Sequence, residues 1–173
     1  MRAQHLFLLL VLLLAVGAAH AAVPPTTVPA VDLNRYAGTW YEIARKPMYF
    51  ERHCVRDVTA TYTIKSDDTL RVENRCLNED GEEVLARGKA RVVPDSGNAK
   101  LEVSFFWPFT APYWVLWLDD DYRAALVGEP GRDYLWLLSR TPQLDAELET
   151  AALNRARELG FKLDDLIRPQ QGR

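Results

Sequence analysis

The pattern of side chains along this chain predicts an all-β protein: an eight-stranded, up-and-down antiparallel barrel with one C-terminal α-helix packed outside it. Three observations carry that expectation. Polar and apolar residues alternate over most of the length, most clearly where Ala86, Gly88, Ala90 and Val92 interleave with Arg87, Lys89 and Arg91. That period of two, with one polar face, belongs to antiparallel strands laid over a core. Turn dipeptides, Asp80-Gly81, Ser96-Gly97 and Pro130-Gly131, cut the runs at short intervals. The runs are consecutive, with no helical pattern between them, and a meander of eight strands can close on itself and lose both sheet edges. Closure at that number leaves an interior that side chains fill or that holds one small ligand.

The N-terminal stretch stands apart. Arg2 precedes an uncharged apolar run from Leu6 to Ala19, and Ala19-His20-Ala21 offers small residues where a signal peptidase reads, so residues 1–21 read as a secretory signal peptide. The rival is a membrane anchor, but the run is shorter than the roughly 20 residues a spanning helix needs. No Cys follows it, so a lipid-modified N-terminal Cys is not offered and the expected location is exported, periplasmic or secreted. Cleavage after Ala21 leaves 152 residues (173 − 21) with net charge −4 (−3 − 1), enough for one domain with a core. A mildly acidic protein has no electrostatic hold on phosphate backbones, so nucleic acid is not an expected partner. Residues 22–30, containing the Pro- and Thr-rich "VPPTTVPA", read as a flexible lead-in, and 31–173 as the folded domain. The two cysteines, Cys54 and Cys76, suit one disulfide in an oxidising compartment, with two half-buried thiols as the alternative. If Ile64 faces Leu70 across its turn, Cys76 faces Val58, so a bridge requires the segment before Val58 to fold back.

The strands fall at about 39–46, 56–65, 69–77, 82–93, 98–107, 112–118, 122–128 and 133–140. A helix opens at Thr141-Pro142, carries the stripe Leu144, Leu148, Ala152, Ala156 and Leu159, and closes at Gly160. Its stripe needs a platform, and strands apolar on both faces supply one. The last strand has Tyr134, Trp136 and Leu138 opposite Leu135 and Leu137. The first has Tyr41 and Ile43 opposite Trp40 and Ala44. The helix is therefore expected across the first and last strands. With Tyr41 and Ile43 beneath it, Trp40, Glu42 and Ala44 point inward. Gly38 lets the chain bend, Trp40 plugs one end, and Arg140, ending the neighbouring last strand, lies over the indole face.

Gly38-x-Trp40, Asp121-Tyr122 between late strands, and Arg140 before a long helix resemble the three signature blocks of the lipocalins. "VDLNRYAGTWYEIAR", "VTATYTI", "KLEVSFFWPF", "RDYLWLLSRTP" and "GFKLDDLI" are similar to the bacterial lipocalin group and its apolipoprotein D-like relatives. The resemblance runs from about Val31 to Gln171. It implies a calyx closed at the Trp40/Arg140 end, open at the other, binding small hydrophobic molecules, with fatty acids and lysophospholipids the usual proposal for the bacterial group. Many of those proteins are anchored through an N-terminal Cys; that feature does not transfer.

On the inward parity lie Ala60, Tyr62, Ile64, Val72, Ala86, Gly88, Ala90, Val103, Phe105, Tyr113, Val115, Trp117, Tyr134 and Trp136. Small residues on one strand face aromatics on others, which suits an open cavity for an acyl lipid and also a solid core. Glu42 among them needs a partner or a raised pKa, from tyrosines, an Arg or a ligand head. Trp107 and Phe109 fall in a turn at the mouth. They form a lid, a rim for transient membrane contact or a homodimer contact, or they fold inward over the cavity.

Enzyme chemistry is not expected. After cleavage His53 is the one histidine, so no His-based metal site forms, and its neighbour Cys54 faces the opposite side of an extended strand. Asp119-Asp120-Asp121 lacks the spacing of a calcium loop. No cofactor is expected. Beside the lipid carrier stand two alternatives: a carrier of a flat chromophore such as haem or bilin, with His53 as axial ligand, and a ligand-free interaction module using the aromatic rim.

Overall fold

The computed structural model describes residues 23–66 and 68–172, so the signal peptide expected over 1–21 lies outside the described residues. Eight strands close into one antiparallel barrel in chain order: β1 (Gly38–Arg45), β2 (Arg56–Ser66), β3 (Thr69–Leu77), β4 (Glu83–Val92), β5 (Lys100–Phe106), β6 (Phe109–Leu118), β7 (Ala124–Gly128) and β8 (Leu135–Ser139). Ile64 pairs with Leu70, as the turn arithmetic requires. β6 begins earlier than expected because Phe106 pairs with Phe109 across Trp107-Pro108, which makes Phe109 the first strand residue.

Two helices flank the barrel. α1 (Leu33–Tyr36), which hydrophobic periodicity does not signal, is a single turn capped by Asp32, whose carboxylate accepts from the Asn34 and Arg35 N–H groups. α2 (Ala146–Glu158) starts later than Thr141-Pro142 suggests: Asp145 is its N-cap, and Leu144 precedes it. A further short turn, Tyr49–Glu51, lies in the β1–β2 connection.

α2 does not cross β1 and β8 as expected; it lies on β6 and β7. β7 is buried on both faces, with Ala125 and Val127 inside the barrel and Leu126 outside. Its outward side is small enough for close approach: a Cβ on Gly128 would lie 2.9 Å from the Phe161 ring and 2.8 Å from Leu116. Ala152, Ala156, Leu159 and Phe161 bury there with Leu116, Leu126, Leu135, Leu137 and Ala44.

Register shifts from single extra residues occur on several strands, and those on β1, β6 and β2 bear on the site. In β1 the register shifts between Glu42 and Ala44. Ala44, expected inside, joins the outer cluster, while Arg45 turns inward to meet Glu42. In β6 the register shifts between Val115 and Trp117, so Trp117, also expected inside, packs with Leu116 on the outer face, and Leu118 faces in. In β2 an extra residue between Arg56 and Thr59, with Asp57 at φ 51°, supplies the fold-back that Cys54 needs. Cys54 and Cys76 are bridged, their Cα atoms 5.4 Å apart. The bridge closes a loop with sequence separation 22. Removing it with Cys54→Ser/Cys76→Ser is expected to cost about 3 kcal/mol in urea denaturation.

The lead-in is tied to the barrel. The Val28 and Val31 N–H groups donate to the Val115 and Gly97 carbonyls, and Arg155 donates to the Thr26 hydroxyl. Composition reads this stretch as flexible because its partners are all distant in sequence.

Candidate functional site

The strands run alternately between two unlike ends. At the base, Trp40 is fully buried and its indole N–H donates to the Tyr36 carbonyl at 2.8 Å. The Arg140 guanidinium lies 3.8 Å from the centre of that ring. It donates to the carbonyls of Thr39, Arg35, Tyr36 and Ala37 at 2.6–3.0 Å, satisfying the carbonyls that α1 leaves unpaired at its C-terminal end. Gly38, at φ 99°, occupies the left-handed region where other residues are strained. Above the indole, Tyr113 OH bonds to Tyr36 OH at 2.7 Å and accepts from Tyr62 OH at 2.8 Å. Burial pushes all three phenols up, so they stay neutral and act as mutual partners. Val72, Ala90 and Val115 are buried with them, and this half of the barrel is solid.

Towards the other end the packing loosens. Ala60, Val103, Phe105 and Trp136 face the same interior cluster yet are only half-buried, whereas Ile64, also half-buried, lies beyond Tyr62 at the closed end, paired with Leu70. Ala86 is exposed, and Gly88 is half-buried with Phe105 laid against it. In register between Ala60 and Ala86 sits Asn74, whose buried amide oxygen has no hydrogen-bond partner. Tyr134 stands at the rim, 37% exposed, its ring centre 6.3 Å from that of Trp136.

On the β1 wall, Glu42 is held by an arginine. Arg45 Nη1 donates to Glu42 Oε1 at 2.6 Å, and Nη2 donates to the carbonyls of Glu51 and Cys54 at 3.1 and 2.8 Å. Arg45 Nε lies 3.6 Å from Glu51 Oε2 and makes no hydrogen bond. The Trp136 indole N–H donates to the same Oε2 at 3.3 Å. Burial, then the neighbouring Glu51, pushes the Glu42 carboxyl up to about 8 against the opposing pull of Arg45. Burial raises Glu51 as well, opposed by its bond from Trp136 and by Arg45.

The mouth is aromatic. Trp107 is 91% exposed, and Phe106 and Phe109 beside it, with Tyr49 and Phe50 in the β1–β2 connection, are exposed too. They stand out from the barrel and do not fold inward over it. His53 is exposed, and one of its ring nitrogens lies within 4.8 Å of the sulfurs already committed to the disulfide. Asp119 is engaged by the Arg123 guanidinium at 2.9 and 3.0 Å, which holds its carboxyl below the usual range, so the acidic run is a tied turn.

Sequence reasoning missed Tyr36, Arg45 and Glu51. Tyr36 was legible only through the Asp32 cap that builds α1, and Arg45 was hidden by the β1 bulge. Glu51 lies in the β1–β2 connection, where alternation has nothing to say.

A closed barrel stoppered at one end by an indole and a guanidinium, with half-buried side chains lining it towards the other, has the form of a calyx. A family model, the lipocalin-like domain, matches residues 31–171. The chain belongs to the lipocalin family, whose members are in general binding and transport proteins for small hydrophobic molecules. It is 45% identical over 156 residues to outer membrane lipoprotein Blc of Citrobacter freundii, covering 88% of each chain. It is 37% identical over 123 residues to apolipoprotein D of Macaca fascicularis, covering 67% of this chain and 64% of that one. Among solved structures, insecticyanin of Manduca sexta superposes with TM-score 0.68 at 21% identity, over 87% of this chain and 85% of that one, and shares the fold.

Proposed function

We propose that the protein binds and carries or stores a small hydrophobic molecule with an acyl chain, a fatty acid or lysophospholipid, in the cell envelope or outside the cell. The observation that supports this is the change in packing along the barrel axis. Trp40, Val72, Ala90 and Val115 are sealed at the base, whereas Ala60, Val103, Phe105 and Trp136 face the same interior half-buried. An acyl chain laid against such a wall gains about 0.8 kcal/mol per buried CH₂, gross of binding costs. The residues that would line it are Ala60, Val103 and Phe105, with the small Ala86 leaving room and the Phe105 ring covering Gly88.

Export is supported by the apolar run from Leu6 to Ala19 and the small residues after it, by the disulfide, and by relatives named as outer membrane lipoproteins. Both cysteines are spent in the bridge, which leaves neither for acylation. The aromatic rim gives the protein a surface with which to touch the membrane that supplies its ligand.

Two measurements test the reading. Organic extraction of the purified protein should release acyl lipid detectable by mass spectrometry, and a fluorescent fatty acid should quench tryptophan emission on titration. Ala60→Phe, which fills the lined space, is expected to weaken that uptake about tenfold or more with the circular dichroism retained. No lipid in the extract and no quenching would overturn the proposal.

A further inference from the structure

We propose that the mouth selects ligands with a cationic head, an ammonium group at the end of the acyl or alkyl chain, held between the Glu42/Glu51 carboxylates and the rings of Phe50, Tyr134 and Trp136. This inference rests on the carrier reading and narrows it: of the two ligand types named there it disfavours the free fatty acid and keeps those whose head carries an ammonium group.

The charge count comes first. Two largely buried carboxylates share one guanidinium, and Arg45 is the one cation that the described residues place in a salt bridge with either. Its Nη1 is taken by Glu42, its Nη2 by two backbone carbonyls. Among the described residues the buried Nε has no hydrogen-bond partner, and the Glu51 carboxylate, 3.6 Å away, accepts from the Trp136 indole N–H alone. A buried carboxylate left short of positive charge takes up a proton or a cation. A ligand carboxylate would add a third negative group beside this pair, so an anionic head is the wrong sign for the site.

The aromatic rings come second, and they are independent of the charge count. Phe50 and Tyr134 lie edge to face with centres 5.5 Å apart, and Trp136 follows Tyr134 at 6.3 Å. The three rings lead from the exposed rim to the Glu51 carboxylate. Aromatic faces attract cations, and methylated ammonium groups are the ligands that such surfaces recognise best. On β3 the buried Asn74 amide oxygen, without a donor, adds an acceptor to the interior.

Proton balance follows from the same groups. Below about pH 8 the pair holds a proton on Glu42, with Arg45 and Glu51 facing it from β1 and the β1–β2 connection. An arriving ammonium replaces that proton, which leaves to solvent. Ammonium affinity therefore rises with pH through that range, while binding of an uncharged ligand does not follow it.

The test compares three ligands with chains of about ten carbons, below their micellar concentrations: an alkyltrimethylammonium, the corresponding monoacylglycerol and the free fatty acid, each titrated by tryptophan fluorescence from about pH 7 to about pH 9. The ammonium is expected to bind about tenfold more tightly than the glycerol ester, and the fatty acid most weakly. The ammonium's advantage should grow with pH, and Glu51→Gln should bring the ratio of ammonium to glycerol-ester affinity close to unity. A fatty acid binding as tightly as the ammonium, or a folded Glu51→Gln protein that keeps the preference, overturns the inference. The wild-type pH series decides it even if that variant does not fold. Uptake of the glycerol ester without an ammonium preference refutes this inference alone; no uptake of any of the three refutes the carrier reading and this one with it.

Discussion

Trp40→Ala is expected to lower the stability of the protein by about 4 kcal/mol, the cost of a fully buried tryptophan truncated in a core that cannot collapse. Three losses coincide at that position. The transfer energy of the indole goes, together with the packing around it. The Tyr36 carbonyl loses the donor that reached it at 2.8 Å. The Arg140 guanidinium, 3.8 Å from the ring centre, is left over a void with its cation–π partner removed, a contact worth about 0.5–2 kcal/mol by itself. For a domain of this size the melting temperature should fall by roughly 12 °C. Urea denaturation monitored by circular dichroism reads the effect directly; a loss below about 1.5 kcal/mol would mean that Trp40 is not the stopper that its burial implies.

Arg45→Met is the second large effect, and its size depends on pH. Removing one partner of a buried ion pair costs about 3–5 kcal/mol when the other is left charged. Here Glu42 and Glu51 both lose their cation. The sign of the pH dependence follows from the direction of the shifts. Burial raises both carboxyls above their unfolded values, Glu42 to about 8, so the folded protein holds protons that the unfolded chain releases. Their contribution to stability is fully present below about pH 4.3 and is lost as pH rises towards 8. Wild-type stability should therefore slope downward across that window, by at most about 1.4 kcal/mol per pH unit for each proton. In Arg45→Met the carboxyls are held neutral to still higher pH, so the defect should be small near about pH 5 and larger near about pH 9, above the wild-type Glu42 transition. Denaturation at those two pH values separates the outcomes; an equal defect at both would show that Arg45 acts through packing and not through charge.

How much of this was legible in the sequence depended on whether alternation ran unbroken. Where it did, the strand followed from the residues alone, as from Glu83 to Val92, and across the Ile64–Leu70 turn so did the register. The stopper was legible too, because a tryptophan after a glycine and an arginine at the end of the last strand have few other uses. Legibility failed at the bulges. One extra residue in β1 moved Ala44 out and Arg45 in, and one in β6 moved Trp117 out. Neither insertion changes composition or local hydrophobicity, so nothing nearby in the chain announces it. The seat of α2 failed for a different reason. The bulk of Tyr41 and Ile43 drew attention to β1, whereas α2 lies on β6 and β7, where Gly128 admits Phe161 just past the end of the helix. Glu51 could not be placed because it reaches the barrel from a connection held by a distant disulfide and by Arg45.

The contrast between a dense base and a loose mouth has a consequence for motion. Backbone amides around Trp40, Tyr62 and Val115 can meet solvent only when the whole domain opens, so their hydrogens exchange at the rate of global unfolding. Amides near Phe106, Trp107 and Tyr49 can exchange through small local openings that leave the rest intact. Breathing at the entrance is thereby uncoupled from the survival of the fold, and a guest can come and go many times within one folded lifetime.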